Sequence, residues 1–495
     1  MRRSYRMLDS CFGRIKILTN VRQITAMNIC DVLSECLPEH ARNVDREFLL
    51  DAYKRGDQPI LQKEKTVRPE INNKVVENRA LEIVEFKTGY FLGEPVQYVA
   101  RTTEKDEAKD TAIVENISKL NEYMMLEDKH TKDINVSEWA HTVGVGCRLV
   151  LPNGAFSADD ADSAPFRIYD VPPQSAFVVY SASYGNDPLM GVLCTQDETG
   201  QDVYSCYTKD SFYTVYGQGP TNLVYIAQEA NPLGEIPLIE YSLNNSRLGA
   251  FEPVMPLLDA INAVSSDRLD GVDQFVQSFM KFINCDISED DFAALKQLGA
   301  IKIKSVDGTQ ADVDIITSEL NQTQTQTLKD DYYDAVLTIC GMPNRNGGSS
   351  TSDTGSAVTM RDGWSAAEER AKATERPFVQ AERQFLRVVL KIVRDLTGMD
   401  IKLGQIDIKF TRRNYADIQT KAQVLTTMLG NDKIHPELAF TYCGMFPDPS
   451  EAYLKSEQYA KDQQEKMLYE MDRLQTQQPQ DARVEADAAQ EVTDV

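Results

Sequence analysis

Positive charge is the first shortage. Lys and Arg number 52 against 76 Asp and Glu, giving a formal net charge of −24 and a pI near 4.7. A surface that coats nucleic acid needs clustered cations, so this balance argues against one, though not against a channel that a polyanion slides through. Apolar runs are short as well: none approaches the roughly twenty residues that span a bilayer. The basic start Met1-Arg2-Arg3-Ser4-Tyr5-Arg6 is followed by no apolar core, which argues against an export signal. Nine Cys are scattered without a CxxC pair, the pattern of reduced thiols and not of a disulfide framework. Cys443 and the others read as small core residues. Only four His occur, and His40, His130, His141 and His435 lack metal-ligand spacing. His141, two residues from Trp139, reads as a packing residue.

Catalytic signatures are missing too. There is no Walker-type phosphate loop, no HExxH and no G-x-S-x-G. Gly144-Val145-Gly146 lacks the third glycine of a dinucleotide fingerprint and reads as a strand start or bulge. Asp353-Thr354-Gly355 copies the triplet of aspartic proteases, but that chemistry needs a second carboxylate sharing the proton, and none is supplied. Asp159-Asp160-Ala161-Asp162 lacks the spaced ligands of a calcium loop and reads as a solvated acidic turn. No enzyme, cofactor or metal site is expected.

What is present is an α+β pattern organised around residues 251–398. Leu258, Ile261, Leu269, Val272, Val276, Phe279 and Ile283 recur at steps of three and four. They predict one helix of roughly thirty residues, about 45 Å long. A small mixed module follows. Its helix, Ser288 to Leu298, turns Phe292 and Leu295 inward, and its strands run over Gly299–Lys304, with Ile301 and Ile303, and over Ala311–Ile316. A module this small is not stable alone and is expected to pack against copies of itself. A second helix, from Thr317 or Ser318, carries Leu328, Tyr332, Ala335, Val336 and Ile339 and stops at Gly341-Met342-Pro343. The polar loop Asn344 to Gly355 comes next. The third helix runs from Ser356 to Leu396 and ends at Gly398, and Pro377 predicts a kink near Thr374–Pro377.

Elsewhere the spacing predicts helices over Met27–Glu39, Asn43–Tyr53, Glu70–Leu92 and Glu107–Met125, with a strand at Pro95–Ala100. From Cys147 to Tyr241 the period falls toward 2 between Gly, Asp and Asn turns, the mark of an antiparallel meander. After Gly398 come a strand at Ile406–Thr411 and helices at Ala416–Leu429, Pro436–Tyr442 and Pro449–Leu474. The tail from Gln475 has no apolar face and reads as disordered. Residues before Met27 read either as an extension or as sequence ahead of the true start, and both readings stay open.

Two stretches carry a resemblance. Asn72-Asn73-Lys74-Val75-Val76-Glu77-Asn78 through Lys87-Thr88-Gly89-Tyr90-Phe91-Leu92-Gly93-Glu94-Pro95-Val96-Gln97-Tyr98 resembles the N-terminal signature of portal proteins of tailed bacteriophages, of the siphophage type found with Gram-positive hosts. Thr354-Gly355-Ser356-Ala357-Val358, running into the long helix, resembles that family's tunnel loop. The order of elements fits from about residue 45 to 474, and the chain departs from the family's more basic, aliphatic pattern around Met360-Arg361-Asp362-Gly363.

The resemblance implies a ring-forming α+β subunit, usually twelve-fold, at one capsid vertex of the virion and in the host cytoplasm during assembly. Double-stranded DNA would enter and leave through its channel without being read. Its partners would be the terminase large subunit, head-completion or adaptor proteins, and capsid and scaffold proteins. By position, 1–45 would be an N-terminal extension and first helix, 46–250 with 398–413 the wing, 251–282 and 317–343 the stem helices, and 283–316 the clip. Residues 344–355 would be the tunnel loop, 356–397 the kinked spine, 414–474 the crown and 475–495 a disordered tail. Asn344, Arg345, Asn346, Ser349, Ser350 and Thr351 are expected to touch phosphates, and Phe292, Leu295, Ile301 and Ile303 to face neighbouring subunits. Arg361, Lys302 and Lys304 read as solvent-facing in one subunit and as phosphate-facing in a ring. Two other classes remain as alternatives: a structural ring that conducts no DNA, and an enzyme with an unrecognised site.

Overall fold

The computed structural model describes residues 13–66, 68–101, 107–157, 159–160, 162–276, 279–283, 285–286, 304–305, 312–316, 322–344, 363–412, 415–446, 449, 452–469 and 471. The chain divides into two compact units, 1–91 with 123–349 and 360–403, and 92–122 with 350–359 and 404–495.

The larger unit stacks four layers. Its outer helix, α1 (Ile29–Lys54), is a single element where the sequence predicts two. Pro38 lies inside it, on the exposed side. An interior proline costs about 3 kcal/mol. Here Ile29, Val32, Leu33, Cys36 and Leu37 before it and Leu50 and Tyr53 after it are all buried, and their packing outweighs that cost. Against α1 lies a six-stranded sheet ordered β1-β5-β6-β7-β8-β9. Strands β5 (Ala176–Ser181), β6 (Pro188–Gln196), β7 (Asp202–Tyr207), β8 (Ser211–Gly217) and β9 (Val224–Ala230) form the expected antiparallel meander. The added strand, β1 (Ile17–Thr19), pairs parallel to β5 with Ile17 opposite Val179. Residues 13–26 are therefore part of this core: Ile17 and Ile24 are buried in it, and Arg14 forms a buried ion pair with Glu252.

Alternation along β5 sets the layering. Phe177 and Val179 face the α1 cluster, while Val178 and Ala176 face Cys147, Leu149, Ile236 and Leu238. The latter belong to or adjoin a second sheet, ordered β10-β3-β4, of β3 (Val145–Pro152), β4 (Phe166–Val171) and β10 (Leu238–Ser242). Its far side carries Arg148 and Tyr241 and is covered by helix α4 (Lys129–Val143) and the long helix α7 (Trp364–Thr397). No sequence pattern predicts α4. Gly144 ends it at φ +89°, and a side chain at Gly146 would meet the Val136 carbonyl at 2.4 Å. The Gly-Val-Gly triplet is thus the strand start that its spacing suggests, with Gly144 also ending the helix before it.

Helix α2 (Arg79–Phe91) is shorter than the Glu70–Leu92 prediction. Residues 71–78 form an extended strap along helix α5 (Met255–Val276). Three α5 side chains at steps of four, Asn262, Ser266 and Asp270, accept the backbone N–H groups of Glu77 (3.0 Å), Val75 (2.9 Å) and Asn73 (2.6 Å). Four helical residues advance about 6 Å and two extended residues about 6.6 Å, so the periods match. Side chains from α5 thereby satisfy the strap's donors, and no local helix is needed.

Helix α5 is also shorter than predicted. Phe279 to Ile283 form strand β11, paired antiparallel with β14 (Asp312–Ile316). The Phe-Met-Lys-Phe-Ile run is rich in strand formers, and the ladder to β14 overrides helical continuation. A shorter ladder, β12 (Cys285–Asp286) with β13 (Lys304–Ser305), follows, and α6 (Gln322–Cys340) packs back along α5.

In the smaller unit, β2 (Gln97–Ala100) pairs antiparallel with β15 (Ile406–Lys409). Asn121 of α3 (Glu107–Leu126) clamps Tyr98, donating to its carbonyl at 2.8 Å. Helices α8 (Tyr415–Leu429) and α9 (Pro436–Cys443) and a helix over 452–469 complete it. Phe440 packs on Phe446 and Tyr453, and Cys443 is buried.

Candidate functional site: the base of the polar loop

The polar loop leaves and re-enters the larger unit at adjoining points. Helix α6 ends at Gly341 (φ +65°), where the Met342 N–H returns to the Leu337 carbonyl at 2.8 Å. Helix α7 begins after Gly363 (φ +83°), and a Cβ there would sit 3.7 Å from the Pro343 Cα. The described residues on either side of the loop, Asn344 and Gly363, therefore lie at adjoining points. Asn344, the one predicted loop contact among the described residues, donates to Asp334 at 3.0 Å. Arg345, Asn346, Ser349, Ser350, Thr351 and Arg361 lie outside the described residues, as do Phe292, Leu295, Ile301, Ile303 and Lys302.

Helix α2 braces this spot. Phe86, Tyr90 and Trp364 form an aromatic triangle with ring centroids 5.7 to 6.2 Å apart. Tyr90 donates to Glu368 at 3.1 Å. Lys87 donates to the Cys340 carbonyl at 2.6 Å and so caps the end of α6. Burial, with Arg370 nearby, lowers the Lys87 pKa, while Cys340 opposes it. Deeper in, Phe91 stands edge-on to Phe378 at 5.3 Å. Thr88 lies 3.4 Å from His141, which is buried and pushed down to about 3 by desolvation and by Lys87. Neutral His141 donates from Nδ1 to the Ser137 carbonyl at 2.8 Å, so it is a packing residue. The stretch from Asn72 to Phe91 thus does two jobs: the strap grips α5, and α2 holds both ends of the loop.

A family model described as "Phage portal protein, SPP1 Gp6-like" matches residues 33–478. The chain belongs to this portal family. A search of curated proteins finds no match. Membership makes it a structural, capsid-associated phage protein and not a member of an enzyme family. Among the described residues of this portal chain, no helix is long and apolar enough to cross a membrane, and no group of three or more His, Cys, Asp or Glu is placed to hold a metal.

The portal subunit also holds two features that sequence reasoning did not find. Around Asp270, Lys63 (3.1 Å), Lys65 and Asn73 converge. Burial works against this carboxylate, but hydrogen bonds from Lys65, Asn73 and Lys63 prevail and hold it at about 2. The second feature pins the spine helix α7 to the sheet. Lys129 bridges Asp133 (2.6 Å) and Glu382 (2.7 Å), Arg148 pairs with Asp133 (2.5 Å), and Tyr241 donates to Glu382 (3.0 Å). All five are buried. Desolvation raises the Asp133 pKa, but Lys129 and Arg148 overcome it and leave it lowered. One signal for this cluster was available: Glu382 sits inside the apolar stripe formed by Phe378, Ala381, Phe385 and Val389. At Pro377 the helix is unbroken.

Proposed function

We propose that the chain is the subunit of a ring at one capsid vertex, through which double-stranded DNA is packaged and ejected. The observation that carries the reading is the braced loop base, where Pro343 and Gly363 lie side by side and α2 packs against both loop-flanking helices, which anchors the tunnel loop 344–355 at its start and next to the spine. A polar loop so held can touch a moving duplex while its scaffold stays still. Asn344, Arg345, Asn346, Ser349, Ser350 and Thr351 supply donors to phosphate oxygens and read no bases. Because each neutralised phosphate adds affinity, a few donors on a strongly acidic protein let DNA slide where a basic wall would hold it.

Within this reading, α5 and α6 are the stem, the paired strands between them belong to the clip, α7 is the spine, and residues 414–474 form the crown. Leu269, Val272 and Leu328 are 42–45% exposed on the stem pair, and neighbouring stems in a ring cover them. The clip rim, with Phe292, Leu295, Ile301 and Ile303 toward adjacent copies, meets the terminase and later the head-completion proteins. Electron microscopy of the purified protein tests this: the expected result is a ring with a bore of roughly 20 Å or more, the width of a duplex whose grooves are about 12 and 6 Å wide. Deleting residues 346–354 should leave rings intact and impair DNA packaging or retention. Normal packaging by that variant would refute the loop's role, and a ring without a bore would favour a structural collar that conducts no DNA.

A further inference from the structure

The two outer layers of the larger unit carry opposite charge. On α7, Arg376, Gln380, Arg383, Arg387, Lys391 and Arg394 follow steps of three and four along its solvent side. Lys391 and Arg394 are paired with Asp395. Arg376, Arg383 and Arg387 are exposed and have no acidic partner within 4 Å among the described residues. They edge a groove of about 600 Å³ shared with Glu375, Val379, Gln380 and Gln384. On α1, Asp31, Glu35 and Glu39 lie one turn apart on the side turned away from the sheet. Glu39 pairs with Arg42 at 3.1 Å, whereas Asp31 and Glu35 have no basic partner within 4 Å among the described residues. Like charges one turn apart destabilise a helix, and of the α1 row only Asp31 gains from the positive end of its helix. Each row is therefore a local cost that no direct ion pair among the described residues fully relieves, although Arg387 also shares a pocket with the carboxylates of Asp187, Asp210, Glu235 and Glu240.

The layer order makes these rows complementary in a specific way. Helix α1 covers the Phe177/Val179 side of the six-stranded sheet. Helix α7 covers the Arg148/Tyr241 side of the three-stranded sheet, beyond it. The basic row and the acidic row thus lie on two different surfaces of one unit. Two different, complementary surfaces are what a head-to-tail contact between identical subunits requires, and such contacts close into a ring where the rotation between copies allows it.

We propose that the α7 arginine row docks on the acidic row of α1 in the next copy of this chain, so that charge pairing sets the order and register of neighbouring subunits. The inference rests on the ring reading above, and names one of its contacts. Opposed charges of this kind steer encounter and penalise wrong alignments.

The test is a charge swap on the full chain, read by mass photometry and sedimentation at near-physiological salt. Arg383→Glu with Arg387→Glu, and separately Asp31→Lys with Glu35→Lys, should each raise the subunit concentration needed for rings by roughly 100-fold or more. Combining all four changes should return it to near the parental value. Either two-site variant assembling like the parent would overturn the proposal, as would a folded four-site variant that fails to recover. Should a reversal unfold the subunit, the neutral changes R383Q/R387Q and D31N/E35N carry the same test, with a shift of about tenfold expected. If R383E/R387E forms normal rings but loses affinity for a short DNA duplex, the row belongs to nucleic acid and not to a neighbour. A parent protein that stays a single subunit at every concentration would instead defeat the ring itself.

Discussion

Replacing Glu382 by Gln should destabilise the larger unit far more than its modest chemistry suggests. The side chain keeps its volume, so no cavity opens. What changes is charge. Lys129 and Arg148 balance Asp133 and Glu382 in a site where none of the four side chains is more than 4% exposed. Removing one carboxylate charge leaves a net positive charge with no water to solvate it, and breaking such a pair costs about 3–5 kcal/mol. At about 2.1 cal/mol/K of unfolding entropy per residue, a unit of this size then melts about 4–7 °C lower. Trp139, on the same helix α4 and packed against the apolar cluster of Leu50, Tyr53 and Phe251, gives a fluorescence reading of the transition. The decisive measurement is a cycle with Lys129→Met. Removing the opposing cation restores neutrality, so the pair of changes should be less damaging than the sum of the two by about 1–3 kcal/mol. An E382Q protein within 1 kcal/mol of the parent, or strict additivity in the cycle, would refute the balance of charges described for this site.

Three further outcomes follow from other buried groups. Burial pushes Glu47 up to about 7, against the pull of Arg14 and Arg247. The folded state therefore holds this proton more tightly than the unfolded chain, and stability should fall as pH rises from about 4.5 to 7. Glu47→Gln should flatten that slope and raise the melting temperature at pH 8; an unchanged pH profile would contradict it. Asp270 has the opposite sign: its pKa is depressed, so its contribution is complete above about pH 4 and lost as pH falls toward 2. Protection of the Asn73 and Val75 amides against hydrogen exchange, relative to their intrinsic rates, should fall in that window, and Asp270→Asn should lower it already at neutral pH. Finally, a chain starting at Met27 lacks β1 and the Arg14 partner of Glu252, which among the described residues then keeps the ion pair to Arg46 at 3.2 Å. It should melt several degrees lower, and equal stability would show that β1 contributes nothing.

How far the sequence exposed this fold depended on whether the packed side of each element is apolar. The meander was legible because Val, Tyr and Phe alternate between Gly and Asp turns. The ends of α6 and α7 were legible because Gly341 and Gly398 adopt the positive φ that stops a helix. Helix α4 was hidden for the opposite reason: its buried side includes Lys129, Asp133, Ser137 and His141, so the apolar period that betrays a helix is absent. The strap was misread as helix because its partners lie about 190 residues away on α5, beyond any local pattern. The gap predicted between Glu39 and Asn43 is instead continuous helix, held by buried residues on both sides of it. Of the candidate site, the loop's polarity and its flanking helices were readable, but not that Pro343 and Gly363 meet.

That meeting has a consequence for how such a loop can vary. When both ends of a segment are anchored side by side, its length barely enters the stability of the scaffold: doubling it adds only about 0.6 kcal/mol of closure entropy. Residues can then be inserted, lost or exchanged between Asn344 and Gly363 without disturbing either helix. The loop proposed to meet DNA can vary in this way while the aromatic triangle beneath it keeps its packing.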